Sequence, residues 1–218
     1  GAGRMENVTV EAEGTLSGPL LVETVTPTGT LQGCCITGSV RVSDTGSGQG
    51  WLHLSALAKV NEGTLMDCSS FLQAEVLSDR PEAAFGGLVY QNTGEMTGCR
   101  NFGALTLTAA GTDTTLFVGG LAVEAGGTFT ACVNYADLSA SAGSAQSVVG
   151  GVAALSQNSD VAEFVRCDNQ GALTGQTVGG ILGRSSAPTQ LTGCTNRGSI
   201  TGQTAGGIVG IAADAALL

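Results

Sequence analysis

Seven cysteines, one histidine and 18 acidic side chains are the groups of this 218-residue chain that could carry chemistry. Thiols can form disulfides, ligate a metal or act as nucleophiles. His53 stands between Leu52 and Leu54, so strand alternation turns it outward as a surface residue, and no Ser-His-Asp arrangement can be built around it. No His-Glu-x-x-His motif is present. A polysaccharide lyase or hydrolase needs carboxylates converging on one groove. Here Asp113, Asp137, Asp160, Glu163 and Asp168 share no common phase of the chain. The sequence therefore assigns no catalytic residue, no metal ligand and no cofactor.

The cysteines carry a different message. They fall at 34, 35, 68, 99, 132, 167 and 194, and from Cys34 the intervals are 34, 31, 33, 35 and 27 residues. That is a repeat. Glycine pairs at 86–87, 119–120, 150–151, 179–180 and 206–207 follow the same period, each leading into aliphatic residues. Asn101, Asn134, Asn169 and Asn196 stand two residues after a cysteine, and Leu105, Leu138, Leu173 and Ile200 four residues further on. In the degenerate early units, Gly18-Pro19 and Gly50-Trp51 are read in the glycine-pair phase, and Thr37 and Ser70 in the Asn phase.

Each unit reads as three short β-prone arms separated by Gly, Asn, Ser or Thr, with no amphipathic helical stretch. A unit of this length cannot fold alone but can form one coil of a stack with a continuous core. The expected fold is all-β: a parallel β-helix or β-solenoid of six to seven coils, three strands per coil. Equivalent residues then stack at ~4.8 Å. Cys99, Cys132, Cys167 and Cys194, with Cys68 below, form an inward column. Their Cβ vectors run parallel, so the column reads as free thiols packed as small hydrophobes, and a linear column gives no closure around a metal ion. Of Cys34 and Cys35 only one can face inward. The Asn column sits at a turn, its amides satisfying turn backbone.

In these residues the chain resembles the GLUG-motif repeats. Gly179-Gly180-Ile181-Leu182-Gly183 and Gly206-Gly207-Ile208-Val209-Gly210 match the naming motif, and Gly86-Gly87-Leu88-Val89 and Gly119-Gly120-Leu121-Ala122 its first four positions. Tyr90 and Val123 depart from the fifth glycine. The resemblance covers about residues 68–210. It implies β-solenoid segments of bacterial surface or secreted proteins, adhesin-like or lying beside secreted proteases, with no catalytic residue in the repeats.

Cysteine to glycine pair spans 12 residues in the last two units but 18, 20 and 18 in the three before. The surplus lies between the same two arms each time. Either these segments protrude as a binding edge, or they lengthen two strands and widen the coil. The candidate binding-edge residues are Asp44, Gln49, Asp79, Arg80, Glu82, Asp113, Thr115, Ser144 and Gln146. Trp51, Tyr90 and Tyr135 sit in different phases, and Phe85, Phe117 and Val148 read as core wedges. Val89, Ala122, Ala153, Leu182 and Val209 form an apolar stripe if they face outward, or core if the strand bulges.

Charged residues are 12% of the chain, glycines number 35 and the net charge is −10. One lysine, Lys59, and few arginines argue against nucleic-acid binding, and no apolar run reaches the ~20 residues of a membrane-spanning helix. The acidic excess reads as a solubility feature. Residues 1–33 are expected to form a degenerate coil or cap, 34–210 the repeat solenoid with coils starting near 34, 68, 99, 132, 167 and 194, and 211–218 a tail or the start of another coil, the latter implying a fragment of a longer protein. The expected function is a noncatalytic, extracellular or bacterial cell-surface adhesin-like module. Its partner is a host or neighbouring-cell protein or glycan, or another copy. A stalk, or an accessory module of a secreted protease or glycosidase, is the alternative.

Overall fold

The computed structural model describes residues 3–46, 49–142, 146–157 and 161–213. Among these residues every regular element is a strand, and every strand pair is parallel with its partner one coil away. The chain winds through about six turns of a β-solenoid. Four sheets line its sides, with seven, twelve, six and seven strands.

One coil shows the plan. After Cys68 the chain passes Ser69–Ser70 and Gln73–Ser78 in the second sheet, Glu82–Gly86 in the third, Val89–Asn92 in the fourth and Glu95–Thr97 in the first. The three arms seen in the sequence correspond to the fourth-sheet, first-sheet and longer second-sheet strands. Two more strands complete the coil: the two-residue strand that ends in the Asn phase, and the strand that runs into the glycine pair.

In-register columns build the core. The first sheet stacks Leu65, Met96, Phe129 and Phe164, all fully buried, with the two phenylalanine rings stacked at 4.9 Å. The second sheet stacks Val40, Ala74, Leu105, Leu138 and Leu173. Each large side chain buried this way contributes roughly 1.5–3 kcal/mol of transfer free energy.

Three corners hold the coils in shape. Before the cysteine phase the backbone turns through a left-handed residue: Asn7, Gly33, Asp67, Gly98, Ala131, Arg166 and Gly193 all have φ between 51° and 64°. A left-handed residue redirects the chain in a single step. At the glycine pair the crowding is steric. A Cβ on Gly119 would lie 1.6 Å from the carbonyl oxygen of Ala122, and one on Gly120 would lie 2.0 Å from that of Gly151 in the next coil. Just after the pair the N–H groups of both Leu88 and Val89 donate to the carbonyl of Leu121, at 2.9 Å each. This bulge sends consecutive aliphatic residues into the core, so Val89, Ala122, Ala153 and Leu182 are core rather than an outward stripe.

The third corner carries the polar ladder. Asn101, Asn134 and Asn169 are fully buried. Each donates one amide hydrogen to the Oδ1 of the next Asn, at 2.9, 2.7 and 2.7 Å, ending on Asn196. Each donates the other to the carbonyl two residues ahead: Gly103, Ala136 and Gly171. Satisfying every donor makes burial of a carboxamide tolerable.

Beside it runs the thiol column. Cys34, Cys68, Cys99, Cys132 and Cys167 are buried and Cys194 is half-buried, with no disulfide among them. Each thiol points to a carbonyl of the preceding coil: Cys132 to Met96 at 3.4 Å and Cys167 to Phe129 at 3.3 Å. Hydrogen bonding with Cys132 and Cys68, together with burial, holds the Cys99 thiol well above its ordinary range. Cys167 is pushed up to about 12, chiefly by its contact with Cys132 and by burial. Such thiols stay protonated and behave as small apolar side chains.

Three early phases differ from the sequence reading. Val22 and Val89 both pair with Ala58, so Pro19-Leu20, not Gly18-Pro19, falls in the glycine-pair phase. Ile36, not Thr37, pairs with Ser70, so Cys34 is the inward cysteine and Cys35 the half-exposed one. Ser55, not Gly50, pairs with Gly86, so Ser55-Ala56 make the tight corner in that coil. Gly50 instead serves a turn at φ 94°.

Candidate functional site

The surplus residues of the middle coils mainly form strand. In the second sheet, the outer strand segment keeps six residues in 39–44 and Gln73–Ser78 and then falls through Leu105–Ala109 and Leu138–Ser141 to two (Leu173–Thr174). The third sheet follows, from Trp51–Ser55 with five residues to Thr177–Gly179 with three. The long strands of the two sheets run outward together and are joined at a narrow apex, forming a ridge along one side of the solenoid. Val42, Val76, Leu107, Leu116 and Ala83 fill it.

The candidate edge residues distribute along this ridge. At its lower end five of them lie close together. Arg80 donates through Nε to Asp44 Oδ2 at 2.8 Å and through NH1 to the carbonyl of Gln49 at 2.8 Å. Glu82 pairs in register with Trp51, and its Oε1 lies 2.8 Å from His53 Nε2. Asp79 donates its backbone N–H to the carbonyl of Asp44. Higher up, Thr115 stacks on Glu82, the Gln146 carbonyl accepts from Leu116 N–H, and Asp113 is exposed in the connecting turn. Ser144 lies outside the described residues.

Sequence reasoning missed the aromatic part of this cluster. Trp51 is 69% exposed, the most open large apolar side chain among the described residues. His53 faces outward from the main core but is not a free surface residue. It is stacked on Tyr90 with centroids 4.0 Å apart, and Trp51 lies 5.7 Å away on a ring tilted by 21°. Tyr90 donates to Glu124 Oε1 at 3.0 Å, which also receives the Gln157 amide at 2.7 Å. Burial, with the neighbouring Glu124 charge second, pushes the Tyr90 phenol far above its ordinary value, so it stays a donor. The signal was the one-coil interval: Trp51, Glu82 and Thr115 are equivalent positions of successive coils.

Phe117 and Val148 belong to the outer face as well. With Ala84, Tyr90, Val123, Ala154 and Leu155 they fill the concave angle between the third and fourth sheets, forming a second, smaller apolar cluster. Phe85 alone of the three proposed wedges lies in the main core. A separate aromatic column, Phe71, Phe102 and Tyr135, stands three residues after successive cysteines, its rings stacked at 4.6 and 4.8 Å.

A step in the solenoid opens the site. The first coil contributes strands to the first, second and fourth sheets but none to the third. Trp51–Ser55 is thus the edge strand of the third sheet, and beneath it the chain cuts directly across through Thr15, Leu16 and Ser17. The wide second coil overhangs the narrow first. Under the overhang lies a cavity of about 440 Å³ with an apolar floor of Val42 and Leu52, walls of Trp51 and Arg80–Asp44, and the hydroxyl-bearing residues Thr15 and Ser17 on its far side. Among the described residues no group of three His, Cys, Asp or Glu side chains is placed to hold a metal ion. What the cavity offers is a large aromatic surface beside a fixed pair of opposite charges, which is the chemistry of recognition. No protein-family model matches this sequence, and no curated protein matches it.

Proposed function

We propose that this chain is a noncatalytic, adhesin-like display module of an extracellular or cell-surface bacterial protein. A stiff solenoid carries a ligand-binding edge along its ridge. The observation that carries this reading is the convergence of Asp44, Gln49 and Arg80 at the lower ridge apex beside the exposed Trp51. An exposed indole is depleted on ordinary surfaces and enriched where partners dock. The GLUG-like glycine pairs supply the extracellular bacterial setting. The burial of Cys34, Cys68, Cys99, Cys132 and Cys167 is compatible with an oxidising environment too, because buried thiols are shielded from oxidants.

The stalk reading draws on a different observation. The Asn, thiol and core columns fix every coil to the next, and a rigid spacer requires no more than that.

The test is binding of the purified chain to an array of glycans and matrix proteins, beside a folded Asp44→Asn/Arg80→Gln double variant. Point substitutions are preferred to trimming, because the surplus residues include strand positions such as Ser78, Glu82 and Thr115. Saturable binding that the double variant loses supports the module. Absence of binding by either protein leaves the stalk.

A further inference from the structure

We propose that the cavity under Trp51 binds the terminal ring of a neutral saccharide, a proposal that rests on the display reading and names its ligand class. A pyranose has one face of C–H groups and a rim of hydroxyls. It is held by an aromatic ring against the first and by rigid donor–acceptor pairs against the second. The cavity provides both.

Trp51 is an edge-strand residue of its sheet, with His53 two residues along the same strand as its aromatic neighbour, Glu82 beside it in the next coil, and no strand of the first coil on the other side. Trp51 lines the cavity and is 69% exposed, which leaves indole surface there for a ligand. The other exposed aromatic group cannot serve in this way. Phe71, Phe102 and Tyr135 lie parallel within 6° and spend their faces on one another, so the column presents mainly ring edges.

The polar wall is pre-set. Arg80 is held from two directions, by Asp44 and by the Gln49 carbonyl, and is only about a quarter exposed. A guanidinium carries five N–H donors, and a carboxylate has more acceptor sites than one hydrogen bond uses. Adjacent donor and acceptor groups match two neighbouring hydroxyls. Because neither group has to be ordered on binding, little entropy is lost there. Thr15 and Ser17 add further polar groups across the cavity.

Charge selects the sugar. Asp44 and Arg80 cancel, Glu82 is engaged by His53, and the chain as a whole carries −10. Sialic or uronic acids meet no net positive field and are repelled at long range. The volume suits roughly one or two rings, so the ligand is a chain end rather than an extended polymer.

The chain contains one tryptophan, so its fluorescence reports this cavity alone. Methyl glycosides of glucose, galactose, mannose and N-acetylglucosamine are titrated to concentrations on the order of ten millimolar, the range of weak single-ring binding. At least one should give a saturable shift of Trp51 emission, with affinity roughly tenfold weaker in Arg80→Gln. On the glycan and matrix-protein array, Trp51→Ala should lose the signal while melting as the parent does, since the side chain is mostly exposed. A flat titration with all four glycosides, or a shift unaffected by Arg80→Gln, overturns the proposal. Array binding retained by Trp51→Ala, or confined to acidic glycans or proteins, also overturns it while leaving the display reading standing. No array binding by the unsubstituted chain defeats both.

Discussion

The side-chain amide of Asn134 donates to Oδ1 of Asn169 at 2.7 Å and to the carbonyl of Ala136 at 2.8 Å, so one buried residue ties two coils together and closes its own turn. It also accepts from Asn101 at 2.9 Å. Replacing it with alanine leaves a donor on Asn101 and an acceptor on Asn169 without partners inside the protein. Asn134→Ala is therefore expected to destabilise by about 2–4 kcal/mol, whereas Asn196→Ala, at the half-buried end of the ladder, costs about 1. Urea unfolding of both variants checks this. Equal losses would show that the ladder does not act as a buried network.

The left-handed corner gives a prediction of opposite sign. Ala131 and Arg166 are exposed and sit at φ 51° and 53°, where Gly98 and Gly193 occupy the equivalent positions at 64°. An L-residue there carries roughly 1–2 kcal/mol of steric strain. Ala131→Gly and Arg166→Gly should each raise stability by about 1 kcal/mol after the extra entropy of the unfolded glycine is set against the strain relieved. A lowered melting temperature in both variants would contradict the assignment of that corner.

Glycine pairs differ in how much they tolerate. Gly119→Ala and Gly120→Ala each force a methyl group into a backbone carbonyl, so more than about 4 kcal/mol should be lost and the variants should be largely unfolded or insoluble. Gly207 belongs to the same motif, but a Cβ there meets nothing within 4 Å. Gly207→Ala should fall within about 0.5 kcal/mol of the parent. Circular dichroism melts of the three variants separate steric need from mere repetition of the motif.

Two members of the thiol column, Cys99 and Cys167, make stability fall at alkaline pH. Unfolded, Cys99 and Cys167 ionise near the ordinary value of 9.0, and in the fold both ionise higher. Above that ordinary value the unfolded chain binds fewer protons than the native one, so stability falls as pH rises. For Cys167 the window runs from 9.0 to about 12, and the slope is roughly 1.4 kcal/mol per pH unit for each such thiol. Below the window the contribution of these two thiols is constant, while Cys132 and Cys68, held below the ordinary value by hydrogen bonds with neighbouring thiols, act in the opposite sense. Denaturation midpoints at neutral and alkaline pH should show the loss, and Cys167→Ala should reduce the slope by one thiol's share. A midpoint unchanged across the window would mean that these thiols lose their protons as readily in the native chain as in the unfolded one.

Much of this was written in the spacing of a few residue types. Cysteine, the glycine pairs and asparagine give the coil period because each fills a site that few other residues can: a small buried donor, a crowded corner, a self-satisfying turn. The corner before the cysteine stayed hidden because Asn, Asp, Gly, Ala and Arg all occupy it. The first coils were misphased for a related reason. Glycine serves both a crowded corner and a positive-φ turn, and Gly50 does the second while Ser55-Ala56 do the first. That shift hid the place of Trp51 one coil below Glu82. Asp44 and Arg80 were legible as members of the same edge, but their contact depends on strand length, which spacing alone does not divide between strand and loop.

The shortening of the ridge strands from coil to coil also has a mechanical consequence. A rod resists bending more steeply than in proportion to its breadth, and this one narrows from the six-residue outer segments 39–44 and Gln73–Ser78 to the two-residue strand Leu173–Thr174. Under a sideways load it behaves as a tapered cantilever. Curvature gathers in the slender coils beyond residue 162, while the broad coils that carry Trp51 and Arg80 keep their shape.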